Sequence, residues 1–526
     1  MPLRYCFVTF LLLLLTRPLV AGEVVLSVVD AKSNAPLGAR FYLHNSAGKT
    51  VHPFVEKTSY AKHGDPYWGG NEVFIAIPTS PATLKLPAGK YKLHVEHGKE
   101  YLPHDGELEV SEQSPTKLSV PLKRLFDMAA LGWYSGDTHV HTPPQDLTVM
   151  QLAEDVNVAF PITAWARTKD EAPQGINRQP VPTKGEAKSI DARHLYWTLN
   201  TEYEIGDIAG ENTALGALIV LGQRAPLTNK VPPVIQMIHD AQSQGAVVDL
   251  EKHGWAWSSM VIALDGIDSF PIANNRMWRK DPPFKNWGER PPASLKLTDD
   301  SAGWMQYVFQ TYYAILNTGL VLPISGGTAN GMMGVPLGYS RVYVHIDGPL
   351  TFEKWFAGFK AGRSFVTNGP MLLIEADGLR PGDHKQLAAG QSLPLKLKIK
   401  AGGTRPLQQV EVVVNGVVVK QIDATKQAAD ATGFQVWEVP VTIQGSSWLA
   451  VRCMEQPVEE IVQFAHTAPI YFDDPTRLLR PRKDQVDLLK SGLEGPMKRL
   501  EGKLSKQAWG EFEAARVRLN GMLTSD

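Results

Sequence analysis

The sequence predicts an α/β domain flanked by two small β-sandwich domains and followed by a C-terminal helical tail. Three observations carry this prediction. Between residues 126 and 370, helical and strand-like runs alternate, which argues for a largely parallel sheet or barrel. On either side, in 23–125 and 371–473, short β-rich runs are separated by clusters of Gly, Pro, Asn and Asp. From 474 to 526, mixed charge falls at helical spacing. A chain of 526 residues has room for about three domains, and 43% hydrophobic residues suffice to bury their cores.

The elements follow in order. "MPLRYCFVTFLLLLLTRPLVAG" (1–22) has Arg4, an apolar run from Tyr5 to Leu15, and small residues at Ala21-Gly22. That is the layout of a secretory signal peptide. The run is shorter than the ~18–20 residues a membrane span needs. The expectation is a secreted or periplasmic protein with no stable membrane insertion after cleavage. In 23–125, "EVVLSVVDA", "ARFYLHN", "EVFIAIP" and "ATLKLPAGKYKLHVEHG" read as strands of an antiparallel sandwich, with Tyr91, Leu93 and Val95 on one face. His94, His97 and His104 read as surface residues there.

In 126–370, "LTVMQLAEDVNVA" reads as a helix and "PITAW" and "ALGALIVLG" as strands. "PPVIQMIHDAQSQGAVVDL" is a helix opened by prolines, closed near Gly245 and followed by a buried strand. "WMQYVFQTYYAILNTGLVLPISGG" and "TFEKWFAGFKAGRSFVTNGP" repeat the helix–Gly–strand order. The Pro-, Trp- and charge-rich stretch 273–300 is a long loop of the lid or binding-loop kind. In 371–473 alternation returns, with a hairpin signal at Asn415-Gly416. In the tail, Gly495-Pro496 is expected to break the helical run in two.

Charge and cysteine content exclude several classes. The formal net charge is −1 and no long basic stripe occurs, so nucleic acid is not an expected partner. Cys6 lies in the signal, which leaves Cys453 without an intramolecular disulfide partner. Its setting, "SSWLAVRCMEQ", is that of a buried strand residue.

The chemistry concentrates in "GWYSGDTHVHTPPQDL" (132–147). Residues two apart on a strand face the same way, so His139 and His141 present imidazoles to one side. Asp137 falls on that face too, either as a ligand or as the carboxylate that orients a histidine. Pro143-Pro144 ends the strand just beyond, at the carboxyl end where α/β sheets place their sites. Further ligands are sought in "LNTEYEIGD", where Glu202 is the candidate and Glu204 its rival. "VVDLEKHGWAW" adds Asp249, Glu251 and His253 at alternate positions. Against these stand plain structural roles: Glu204 and Glu251 pairing with Lys or Arg, and His253 capping a helix. Trp255, Trp257, Trp278 and Trp287 either stack a ring or pack a loop down. "SGGTANGMMGVPLGYSR" (325–341) lacks the Lys of a P-loop and is not read as a nucleotide cradle.

These stretches resemble the PHP (polymerase and histidinol phosphatase) metal-dependent hydrolase superfamily, in its CehA/McbA-like branch. "GWYSGDTHVHT" with "AEDVNVAFPITAW" resembles the family's opening. "ALDGIDSFPIANN", "GLVLPISGGTANGMMGVPLGYSRVYVH" and "WFAGFKAGRSFVTNGPML" are similar to later parts of that branch, and "GKEYLPHDGELEV" to its preceding β-domain. The resemblance covers roughly residues 90–420. It implies a distorted (β/α)7 barrel with one to three divalent ions, commonly Zn, Mn or Fe. A metal-activated water then attacks an ester, amide, carbamate or phosphoester. His139 and His141 match the family's first histidine pair and Glu202 its middle acidic ligand; Glu251 to His253 fall near a further histidine.

Two motifs depart from the pattern. The family has Asp-His after the second strand, where this chain has Ala164-Trp165. It has Asp-x-His near the end of the barrel, where this chain has "SGGTANG". The expectation is therefore a single divalent ion held by His139, His141, Glu202 and His253, with Asp137 or Glu251 as base. The substrate expected is a small molecule or glycan. The alternative is a degenerate barrel that binds a glycan or another protein.

Overall fold

The computed structural model describes residues 21–51, 53–55, 60–61, 74–176, 178–208, 211–279, 284, 291–292 and 295–524. The expected signal peptide lies outside these residues, except that Ala21 and Gly22 open the first strand, Ala21–Asp30. Much of the expected loop 273–300, with Trp287, also lies outside them.

The N-terminal region is two sheets facing across one core. One orders Phe54–Val55, Ala82–Pro87, Ala21–Asp30 and Thr116–Leu122. The other orders Tyr60–Ala61, Ile75–Ile77, Ala39–Asn45, Gly89–Glu96 and His104–Val110. Alternation drives the burial: Val24, Leu26 and Val28 point inward from one sheet, and Tyr91, Leu93 and Val95 from the other. The sandwich is not purely antiparallel, because Ala21–Asp30 runs parallel to Thr116–Leu122. His97 is a correction to the surface reading. It is buried, with Nδ1 3.2 Å from the Ala153 carbonyl oxygen. Arg40 reaches from this sandwich to Glu154 at 2.5 Å and so ties it to the next region.

The middle region is mixed α/β. Its helices are α1 (Pro144–Glu154), α2 (Ile235–Ser243), α3 (Ala256–Ala263), α4 (Ser301–Leu316) and α5 (Phe352–Lys360). Asp300 caps α4 by accepting from the Gly303 amide, and Thr351 caps α5 from the Lys354 amide. The expectation of a largely parallel arrangement is corrected. Trp133–Val140 runs parallel to Val158–Pro161 but antiparallel to Arg341–His345. Thr201–Ile208, Glu211–Leu221 and Val247–Leu250 form an antiparallel meander. Ile208 pairs directly with Glu211, so the chain reverses over a short connection there, whereas the return from Leu221 to Val247 passes through α2. Parallel bridges continue the series, from Asp249 to Ser269 and from Val140 to Asn330.

The C-terminal β-region is a three-stranded sheet (Met371–Ala376, Ser392–Gly402, Gln435–Gln444) packed on a large sheet. That large sheet is shared. It runs from Trp133–Val140 through Arg341–His345 and Ser364–Thr367 to Phe464–Thr467, Ser447–Glu455, Leu407–Val414 and Val417–Asp423. Hydrogen bonding is therefore continuous across residue 370. Asn415 and Gly416 turn the last hairpin with φ of 51° and 80°, as a two-residue loop requires. Cys453 is buried in this layer.

The tail forms α6 (Lys483–Leu500) and α7 (Lys506–Thr524). The expected break at Gly495-Pro496 is corrected: α6 runs through Pro496 and ends at Leu500. Leu489, Leu493 and Met497 are buried in the central core, so packing holds the helix across the proline. Gly492 lets α6 approach α3, since a Cβ there would sit 2.4 Å from Ser259 Oγ. Among the described residues no helix is long and apolar enough to cross a membrane.

Candidate metal centre

Three neighbouring segments build the centre. Trp133–Val140 carries His139, and His141 follows directly beyond its end. The Gly-rich segment after Ile324–Gly326 is laced to this strand end. The Ala329 amide donates to the His139 carbonyl at 2.6 Å, and the His141 and Thr142 amides donate to the Asn330 carbonyl at 2.7 and 2.8 Å. Glycine is required at 327, because a Cβ there would stand 2.5 Å from His139 Cβ. The segment rejected as a nucleotide cradle thus serves as the backing that fixes both imidazoles.

Thr201–Ile208 brings Glu202 and Glu204 from the neighbouring sheet. Glu204 pairs with Ala217, and the Glu251 amide donates to the Ala217 carbonyl at 3.2 Å. Glu204 and Glu251 therefore flank a single small residue.

The side chains converge. His139 Nε2 and His141 Nε2 lie 3.0 Å apart. Glu202 Oε2 is 3.2 Å from His141 Nε2, and Glu202 Oε1 is 3.7 Å from His139 Nε2. All three residues are buried, with Glu202 only 1% exposed. On its other side, His139 Nδ1 faces Glu251 Oε1 at 3.7 Å. His141 Nδ1, Glu202 Oε2 and Glu251 Oε2 are buried without hydrogen-bond partners. Two ligands each ~2.1 Å from one ion would stand about 3–3.4 Å apart. The buried His139–His141–Glu202 group therefore has the separations and the donor chemistry to bind a metal ion.

The electrostatics suit a cation. Burial pushes the His139 imidazole well below its ordinary range, so it presents a neutral ring. Burial alone would raise Glu202, but its neighbours, His141 foremost and then His139 and Lys252, outweigh it and hold the carboxyl at about 2. Burial raises Glu204, opposed by Lys252.

The other sequence candidates are placed as follows. Asp137 stands apart from the three ligands. Its carboxylate accepts from the His139 amide (3.1 Å), the Thr328 amide (3.1 Å), Thr328 Oγ1 (2.5 Å) and the Gly338 amide (2.9 Å). Burial still pushes it up to about 6 against those four bonds. Asp249 accepts from Ser269 Oγ at 2.6 Å and Ser325 Oγ at 2.7 Å. Glu251 borders the centre, whereas His253 turns away from it. The His253 ring packs against Phe270, Trp304 and Tyr307, and burial with the Arg276 charge pushes it down to about 3. Among the described residues, the groups able to hold an ion do not include His253.

Two contributors were not picked out as site residues. Trp165, opposite Glu202 in the sheet, sets its ring 4.8 Å from the His141 ring. Lys252 contacts Glu251 and lies 3.6 Å from Glu204 Oε1. A sequence signal existed for Lys252, since Glu204 and Glu251 each had ion pairing with a basic residue as the plain alternative.

Comparison of the chain with protein-family models and with curated proteins finds no match.

Proposed function

We propose that the protein is an exported metal-dependent hydrolase of the PHP type, acting on an ester, amide, carbamate or phosphoester. The observation that carries this reading is the buried His139–His141–Glu202 group with its converging nitrogen and carboxylate atoms. Two histidines and one carboxylate are the donor set of catalytic rather than structural zinc-type sites. A divalent ion such as Zn, Mn or Fe would supply Lewis acidity and lower the pKa of water to roughly 7. The parallel bridges that link successive sheets around this centre support a distorted barrel.

The chain's own residues have separable parts in this reading. His139, His141 and Glu202 bind the ion. Glu251 orients His139 from behind, as outer carboxylates do at metal-bound imidazoles. The Oε2 atom of Glu251, which lacks a hydrogen-bond partner, is the acceptor available for a proton. Asp137 is not the base, because four donors already occupy its oxygens; it locks the Gly-rich segment against the histidine strand. His253 is left out of the ligand set because it stacks in an aromatic box. Export rests on the pattern of residues 1–22.

The second reading is a binding module for a glycan or protein. Trp165 favours it, since it stands beside Glu202 where another ligand would extend the centre. A panel of aryl esters and phosphoesters separates the two. Metal-loaded protein is expected to hydrolyse one class, with activity lost in chelator and in His139→Ala. Identical inactivity of loaded and stripped protein across the panel, with retention on a polysaccharide affinity gel, would replace the hydrolase by the binding module.

A further inference from the structure

Two donor groups overlap at Glu202. One is the His139–His141–Glu202 group. The other is purely acidic: oxygens of Glu202, Glu204 and Glu251 lie within 4.8 Å of one another. Three carboxylates this close, two of them almost fully buried, cannot all stay ionised without a cation among them. In binuclear centres a carboxylate such as Glu202 is shared between two ions.

Here the chain places its own cation in the acidic group. Lys252 follows Glu251 directly, and its side chain is only 5% exposed. Its ammonium contacts Glu251 and lies 3.6 Å from Glu204 Oε1. The ammonium thus lies between two carboxylates of the second group, Glu251 and Glu204. It leaves the imidazole side of Glu202 to the first group.

We propose that the Lys252 ammonium takes the place of a second divalent ion, so that the centre holds one ion beside a fixed single positive charge. This rests on the metal-centre reading above and goes beyond it, because it assigns the count of ions to one residue. A lysine is compact enough to fill a cation site, yet it carries one charge and cannot bind a ligand through a lone pair while protonated. The second position is therefore closed to metal while Lys252 is present.

Removing Lys252 opens it. Metal-stripped protein is titrated calorimetrically with MnCl2, comparing wild type, Lys252→Met, Lys252→Arg and His139→Ala/His141→Ala. The wild type and Lys252→Arg are expected to show one site, and Lys252→Met two. A second readout guards against poor folding of Lys252→Met. Its melting temperature in chelator should fall below that of the wild type, and should recover with Mn2+ but not with Na+ at equal ionic strength. If it folds only with metal present, it is purified in Mn2+, desalted and analysed for two equivalents. One site or fewer in Lys252→Met, or two sites in the wild type, overturns the proposal. No site in the wild type overturns the metal-centre reading itself, and this proposal with it.

Discussion

Single atoms decide how this centre is held. Gly327 is one case, because a Cβ there meets His139 at 2.5 Å. Gly327→Ala is expected to cost ~1–3 kcal/mol by overpacking and to weaken metal binding, read by denaturant unfolding and metal titration. Asp137 is another. Asp137→Asn keeps the shape but turns an amide towards backbone donors, so unfolding free energy should fall by about 1–3 kcal/mol while metal content stays. Loss of activity at unchanged stability would instead make Asp137 the base. A third case lies away from the centre. His194 puts Nδ1 2.9 Å from Asp191 and Nε2 3.1 Å from Asp155. Burial opposes its charge, but the two carboxylates outweigh burial and raise it to about 9, against an ordinary 6.5. A histidine raised on folding contributes stability in full below pH ~6.5 and loses it as pH climbs through about 9. Melting temperature should decline across that window by an amount reflecting at most roughly 3 kcal/mol, and the decline should vanish in His194→Gln.

At the scale of elements, Pro496 leaves the Gly492 carbonyl without its helical donor inside α6. Pro496→Ala should restore that bond and stabilise the protein by about 1–3 kcal/mol, visible in thermal melts. The proline also marks where sequence reading stops short. It argues for a break locally, and only the burial of Leu489, Leu493 and Met497 in the central core keeps the helix whole. Alternating helices and strands were legible because the hydrophobic period differs between them. Strand direction was not, since parallel and antiparallel strands share a period of two. The same rule explains the centre. His139 and His141 were legible from their spacing. The alternation read through Asp249, Glu251 and His253 fails because the strand Val247–Leu250 ends before Glu251. Beyond that end Glu251 and Lys252 fold towards the centre and His253 away from it. Glu202 was legible as the candidate ahead of its rival Glu204, although both lie on one face of the same strand.

Over the whole molecule, the large sheet joins the metal-centre region to the C-terminal β-layer without a break. Tyr343 and Phe365, on strands before residue 370, are buried in the same core as Leu397, Val412 and Val451 beyond it. A chain truncated after residue 370 should therefore be insoluble, with the Ser364–Thr367 edge unpaired and that core exposed. Recovery of a folded, monomeric 21–370 fragment with an unchanged melting temperature would show instead that the two regions are independent. Placement of the centre depends on this continuity, since the strand bearing His139 is part of the shared sheet. The central claim is that His139, His141 and Glu202 together hold a metal ion. Elemental analysis of the purified protein beside His139→Ala/His141→Ala tests it most directly. About one equivalent of a transition metal in the wild type, lost in the double variant, is the predicted result. No metal in the wild type after loading, or equal metal in both proteins, would contradict it.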